Sequence, residues 1–262
     1  MVYINGKYIE FLSTMIITMI FVEIGAHYGQ SCEIARNPKY SFKEFWLFEP
    51  ASEPLLKLNA INDSRYRIFP FGLGSEDKET LLYQSGSKGA SILHEKFSSD
   101  MEIPNVKIHI RKSSTILSPI LLKYPVFLKI NCEGSEIEIL NDLLDYGLLN
   151  SSHSILVDFD ICRIKPDFSL DSIIDRLIKS GVKFYDADFF GAKSNSLNVK
   201  RWLNYEIDTG IHKFNFKQYF SFKFKLHLPL RRRIWVISSL FLTTKFKIFL
   251  YKRIKRFQVK IN

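Results

Sequence analysis

Two glycines four residues apart, Gly25 and Gly29, follow a short run, Phe21–Ile24, that is apolar except for one carboxylate, Glu23. The next residues, 30–37 (QSCEIARN), read as a short helix. This arrangement suits a ligand that must lie against the backbone. Glycine adopts positive φ and puts no Cβ in the ligand's way, and the first turn of the helix offers unpaired N–H groups. Strand, glycine turn and helix form the opening unit of a nucleotide-binding α/β sheet. Two more groups fall at strand ends. Glu49 closes the run Phe45–Phe48, 20 residues after Gly29, where a carboxylate can accept hydrogen bonds from both ribose hydroxyls. Asn131 and Glu133 close the run Val126–Ile130.

The glycine spacing narrows the ligand. A dinucleotide calls for G-x-G-x-x-G, because its pyrophosphate rests on the backbone. Here the pattern is E-x-G-x-x-x-G. A carboxylate two residues before the first glycine repels a pyrophosphate and suits a ligand with a ribose and a positive charge. S-adenosylmethionine has both.

The elements needed to hold these groups follow in order. Residues 20–24, 45–48, 66–69, 126–130, 153–159 and 182–185 read as strands, several of them continuous apolar runs of the kind buried in parallel sheets. Residues 51–60, 135–144 and 170–179 read as helices, with Ser52 as a cap, Pro54 in a first turn and Gly181 as a terminator. Strand–helix alternation predicts a doubly wound, mostly parallel α/β sheet. Residues 75–110 break the rhythm and predict an inserted hairpin. Its serine- and glycine-rich stretch Ser85–Ser91 is expected to be a mobile loop able to close over the acceptor. The apolar run Phe11–Val22 is too short to span a bilayer and leads straight into the glycine turn. Residues 5–18 are therefore expected to form a covering helix.

Composition supports a globular chain of 262 residues, 46% hydrophobic and 24% charged. Three cysteines in apolar contexts, without zinc-ligand spacing, suggest reduced thiols in a reducing, cytoplasmic compartment and no metal site. The net charge of +10 is uneven: residues 211–262 hold 14 Lys or Arg and no Asp or Glu, leaving residues 1–210 at a formal −4. Phe214–Leu228 alternates with period two, and Phe246, Leu250, Ile254, Phe257 and Ile261 form a helical stripe opposite basic residues. A main domain over 1–210, with its core at 20–190, and a basic extension over 211–262 are expected. The extension suits peripheral contact with an anionic membrane. Nucleic acid is its rival, but no nucleic-acid module is recognisable.

Three stretches together, FVEIGAHYGQS, FWLFEPASEPLLKLN and FLKINCEGSEIEIL, resemble the FkbM family of methyltransferases. Lys129, Ile130, Glu133, Gly134 and Glu136 match the most specific block. The resemblance covers roughly residues 20–190. It implies a class I, Rossmann-like fold with seven strands, S-adenosylmethionine as cofactor, and O-methylation of hydroxyls on sugars or related metabolites. Carried over by position, Glu23, Gly25, Ala26 and Gly29 would line the methionine part of the cofactor, with His27 in the same turn, and Glu49 would hold the ribose. Asn131 departs from the family's usual Asp at that place. Asn cannot accept a proton as Asp can. Three readings stay open: Asn131 positions the acceptor while Glu133, Asp158 or Asp160 acts as base; alignment alone suffices; or activity is impaired. A non-catalytic cofactor-fold protein and a nucleic-acid methyltransferase are the alternative functions. Glu133 also has a helix-capping role open to it, and His153 reads as structural.

Overall fold

The computed structural model describes residues 2–4, 7–9, 18–97, 104–160, 170–190 and 194–207. The basic extension at 211–262 lies outside them, as does most of the proposed covering helix. Where that helix should begin there is instead an antiparallel strand pair, β1 (Val2–Ile4) with β2 (Lys7–Ile9). The physical reason was present in the sequence. Asn5-Gly6 between two β-prone tripeptides is a strong hairpin signal in the sequence, and residues 7–9 of the expected helix are strand.

The central sheet is built from β3 (Met19–Ile24), β4 (Phe42–Phe48) and β5 (Tyr66–Phe69) in the first half. The short strand β6 (Gly72–Gly74), β7 (Lys78–Tyr83) and β8 (Asn105–Lys112) form a separate three-stranded sheet, the expected insertion. The second half adds β9 (Val126–Ile130), β10 (Ser154–Val157) and β11 (Lys183–Asp186). The order across the central sheet is β11-β10-β9-β3-β4-β5, and every pairing is parallel. The chain works outward from β3 to one edge, then returns to β9 and works to the other. The direction reverses between β3 and β9, which is where open α/β sheets bind ligands. Six strands belong to this sheet among the described residues, against the seven that the resemblance implies.

The helices are α1 (Gln30–Ala35), α2 (Ser52–Asn59), α3 (Ser113–Leu121), α4 (Glu136–Asp145), α5 (Asp171–Ser180) and α6 (Asn195–Ile207). α1 packs with α6, and α4 packs with both α3 and α5. Side chains alternate across a strand, so Phe21 and Phe127 share a face. Both meet Trp202 of α6, at ring centroid distances of 6.3 and 5.6 Å. Trp202 is fully buried and donates its indole N–H to Ser154 Oγ at 2.9 Å. β3 and β9 are buried along almost their whole length, which is why they read as apolar runs. α5 ends at Gly181 in the left-handed conformation, φ 77°, as expected. Ser52 begins α2 but does not cap it with its side chain; Ala51 holds that position. No helix among the described residues is long and apolar enough to cross a membrane.

Candidate active site

The glycine turn sits at the sheet's switch point. Gly25 takes φ +77°, and a Cβ there would lie 2.0 Å from the Asn131 carbonyl oxygen. Only glycine allows so close an approach. The Asn131 N–H donates to the Ile24 carbonyl at 3.1 Å, and the Gly25 and Ala26 N–H groups both donate to the Phe48 carbonyl, at 3.0 and 3.1 Å. The ends of β3, β4 and β9 are thus sewn together around the turn. Gly29, φ +76°, stands at the N-terminus of α1.

Glu49 is buried, and each of its oxygens accepts one backbone N–H: Oε1 from Ala51 at 2.8 Å and Oε2 from His27 at 2.7 Å. Burial pushes its carboxyl above the usual range, while the Ala51 and His27 N–H groups pull it back. Each oxygen keeps a further lone pair for a ligand. His27 itself takes φ +48°. Its Nε2 lies 3.3 Å from the Gly86 carbonyl; a carbonyl only accepts, so Nε2 carries the proton.

Glu23 lies beneath the turn, buried and paired with Lys129 Nζ at 2.9 Å. Lys129 offsets the charge that the sequence reasoning set against a pyrophosphate, so that electrostatic argument loses its force. The missing middle glycine still stands.

The loop after β9 is shaped by Glu136. This side chain is fully buried, and its Oε1 accepts the N–H of Cys132 at 3.2 Å and of Gly134 at 2.9 Å. Burial raises its carboxyl, and the N–H donors of Gly134, of Glu136 itself and of Cys132 oppose the rise. Glu136 thereby holds Glu133 in the left-handed region, φ +61°, which is uncommon for a residue with a side chain. The Glu133 carboxylate is engaged by Lys96 in an ion pair, and its carbonyl accepts Ser91 Oγ–H at 2.6 Å. Lys96 also donates to the Gly89 carbonyl at 2.9 Å. Residues 84–97 are therefore clasped to the loop after β9, and Glu133 acts as the catch. Asn131 Oδ1 is buried and has no hydrogen-bond partner among the described residues.

These residues enclose one cleft. Gly25, His27, Glu49, Asn131 and Glu133 line it, with Leu73, Leu82, Ile108 and Ile110 as an apolar wall and Gly86–Lys88 across its mouth. The cleft therefore brings together five of the eight expected site residues. Glu23, Ala26 and Gly29 are not among its lining residues: Glu23 and Ala26 are buried and Gly29 begins the helix. The cleft holds about 90 Å³, below the 300–1,000 Å³ usual for small-molecule pockets. Sequence reasoning placed the Ser85–Ser91 stretch over an acceptor; here it covers the glycine-turn cleft. Lys96 and the apolar wall went unnoticed in the sequence, where nothing local marks them. Lys129 did carry a signal: a lysine within a buried apolar strand needs a buried partner.

A parallel sheet in this order, with a glycine turn and a buried carboxylate at its switch point, defines a Rossmann-like α/β fold. Residues 23–184 match the family described as "Methyltransferase FkbM domain", and the chain belongs to that family. Among solved structures it is similar to the methyltransferase FkbM from Methylobacillus flagellatus KT, at 20% identity and a TM-score of 0.32. That alignment covers 52% of this chain and 32% of the other, so this chain spans about a third of its length. No curated protein matches.

Proposed function

We propose that the protein is an S-adenosylmethionine-dependent methyltransferase acting on a hydroxyl of a glycan or related metabolite. The observation that carries this reading is the contact of Gly25 with Asn131, a cradle that any Cβ would fill, lying beside Glu49. The residues present fit the cofactor. Glu49 would accept the ribose hydroxyls with its remaining lone pairs. The apolar wall of Leu73, Leu82, Ile108 and Ile110 would cover the base. The backbone from Gly25 to Gly29 and the unpartnered Asn131 amide oxygen would bound the methionine part. When bound, the cofactor supplies a methyl group on a positively charged sulfur, a good leaving group. The chain then has to align the acceptor, which is worth at best roughly 7–11 kcal/mol, and exclude water with residues 84–97. Calorimetric titration with S-adenosylmethionine and with its demethylated product tests the reading. Saturable binding of both is expected; no heat and no thermal shift with either would overturn it.

A further inference from the structure

Asn131 separates two hollows. One is the glycine-turn cleft. The other opens at the ends of β9 and β10 and is lined by Lys129, Asn131, Asp158, Asn195 and Asn198, with three apolar residues, Ile130, Leu156 and Ala187. It holds about 10 Å³, roughly the space of one water-sized group. Its polar lining is three amides, one carboxylate and a lysine already paired with Glu23. An amide both donates and accepts, and so matches a hydroxyl in either sense. Asp158 is buried, and its N–H is held on the Ile130 carbonyl at 3.0 Å, so the sheet sets its position. The competing bases are placed differently. Glu133 lines the other cleft and not this hollow, and Asp160 is not part of this hollow's lining.

We propose that this hollow receives the reacting hydroxyl of a sugar-like polyol, that Asn131 orients it, and that Asp158 takes its proton. The inference rests on the methyltransferase reading. As the acceptor oxygen bonds to the methyl carbon, its proton passes to the Asp158 carboxylate, and the electron pair of the broken C–S bond stays with sulfur. Asn131 need not be a base, because a carboxylate stands in the same hollow.

The test compares the wild-type protein with Asp158→Asn and Asp158→Glu. Product affinity is measured by calorimetry, and methyl transfer from labelled cofactor to a set of methyl glycopyranosides is followed kinetically. Asp158→Asn is expected to lower kcat about 100-fold, the usual scale of general base catalysis. Acceptor KM and product affinity stay within about threefold, and Asp158→Glu recovers part of the rate. A kcat within threefold of wild type overturns the inference, as does a loss of rate accompanied by lost product binding. A wild-type protein that binds the product but methylates none of the glycosides also overturns it. Failure of the wild type to bind the product is a different result: it removes the methyltransferase reading and this inference together.

Discussion

Lys129 Nζ lies 2.9 Å from Glu23 Oε1, with both side chains buried in the middle of the sheet. The two residues are direct neighbours across β3 and β9. Their pairing places a cationic partner beside the carboxylate beneath the glycine turn. Breaking such a pair by removing one partner costs about 3–5 kcal/mol, because the other charge stays buried. Lys129→Met is expected to lose that much in urea unfolding. Adding Glu23→Gln to Lys129→Met should recover most of it. Equal losses in the single and double variants would show that the charge is not what matters.

Gly25 and Gly147 both have left-handed φ, +77° and +64°, but only Gly25 faces another backbone. Around Gly147 nothing lies within 4 Å of a new Cβ. Gly147→Ala should cost only the conformational penalty, about 1–2 kcal/mol. Gly25→Ala should cost clearly more, and should abolish product binding by pushing Asn131 away. Denaturant midpoints for the two variants check this; similar shifts would mean that the turn can relax.

Replacing Glu49 with Gln leaves a single acceptor oxygen where two backbone N–H groups, of His27 and Ala51, now bind. Hydrogen bonds to charged groups are worth about 1.5–3 kcal/mol, so product affinity should fall roughly 10- to 100-fold. The wild-type carboxyl is raised by burial. Binding that needs the ionised form should therefore weaken on acidification from a higher pH than an exposed glutamate would show. The Glu49→Gln protein should lack that inflection. Calorimetry from pH 8 to pH 5 measures both effects.

Lys96→Met removes the ion pair that fastens residues 84–97 to Glu133. Cleavage within this segment by a small protease should become several-fold faster, and product association faster too. Added product should restore protection. Unchanged cleavage would place the fastening elsewhere, on Ser91 or His27.

His153 is buried, and its Nδ1 accepts the Val126 N–H at 3.2 Å. Burial holds its folded pKa below the ordinary value. Below about pH 6.5 the unfolded chain takes up a proton that the folded chain refuses, so stability falls with pH there. His153→Gln should flatten this part of the curve relative to wild type. Thermal midpoints at pH 7.5 and pH 5.5 suffice to check it.

The parts legible in the sequence were those governed by local pattern. Buried parallel strands read as apolar runs, and Gly25, Gly29 and Glu49 announced themselves by spacing. α3 was missed because Pro119 lies inside it; α6 was missed although its buried positions, Asn198, Val199, Trp202 and Leu203, recur at helical spacing. The Glu23–Lys129 pair depends on the register of strands 106 residues apart, which no local window contains. The same holds for the Lys96 catch and for the hollow shared by Asn131, Asp158 and Asn198. Each joins segments that only the completed sheet brings together.

The pairing of β3 with β9 also bears on how the chain folds. Joining positions 106 apart closes a long loop, at an entropic cost that grows as the logarithm of its length. Everything between them, including the insertion, can organise by nearer contacts first. The central seam then waits until β9, about halfway along the chain, has been made, and the cleft beside the glycine turn is bounded from its two sides. A chain without that seam lacks the cleft, so ligand capture would report the joining of β3 to β9.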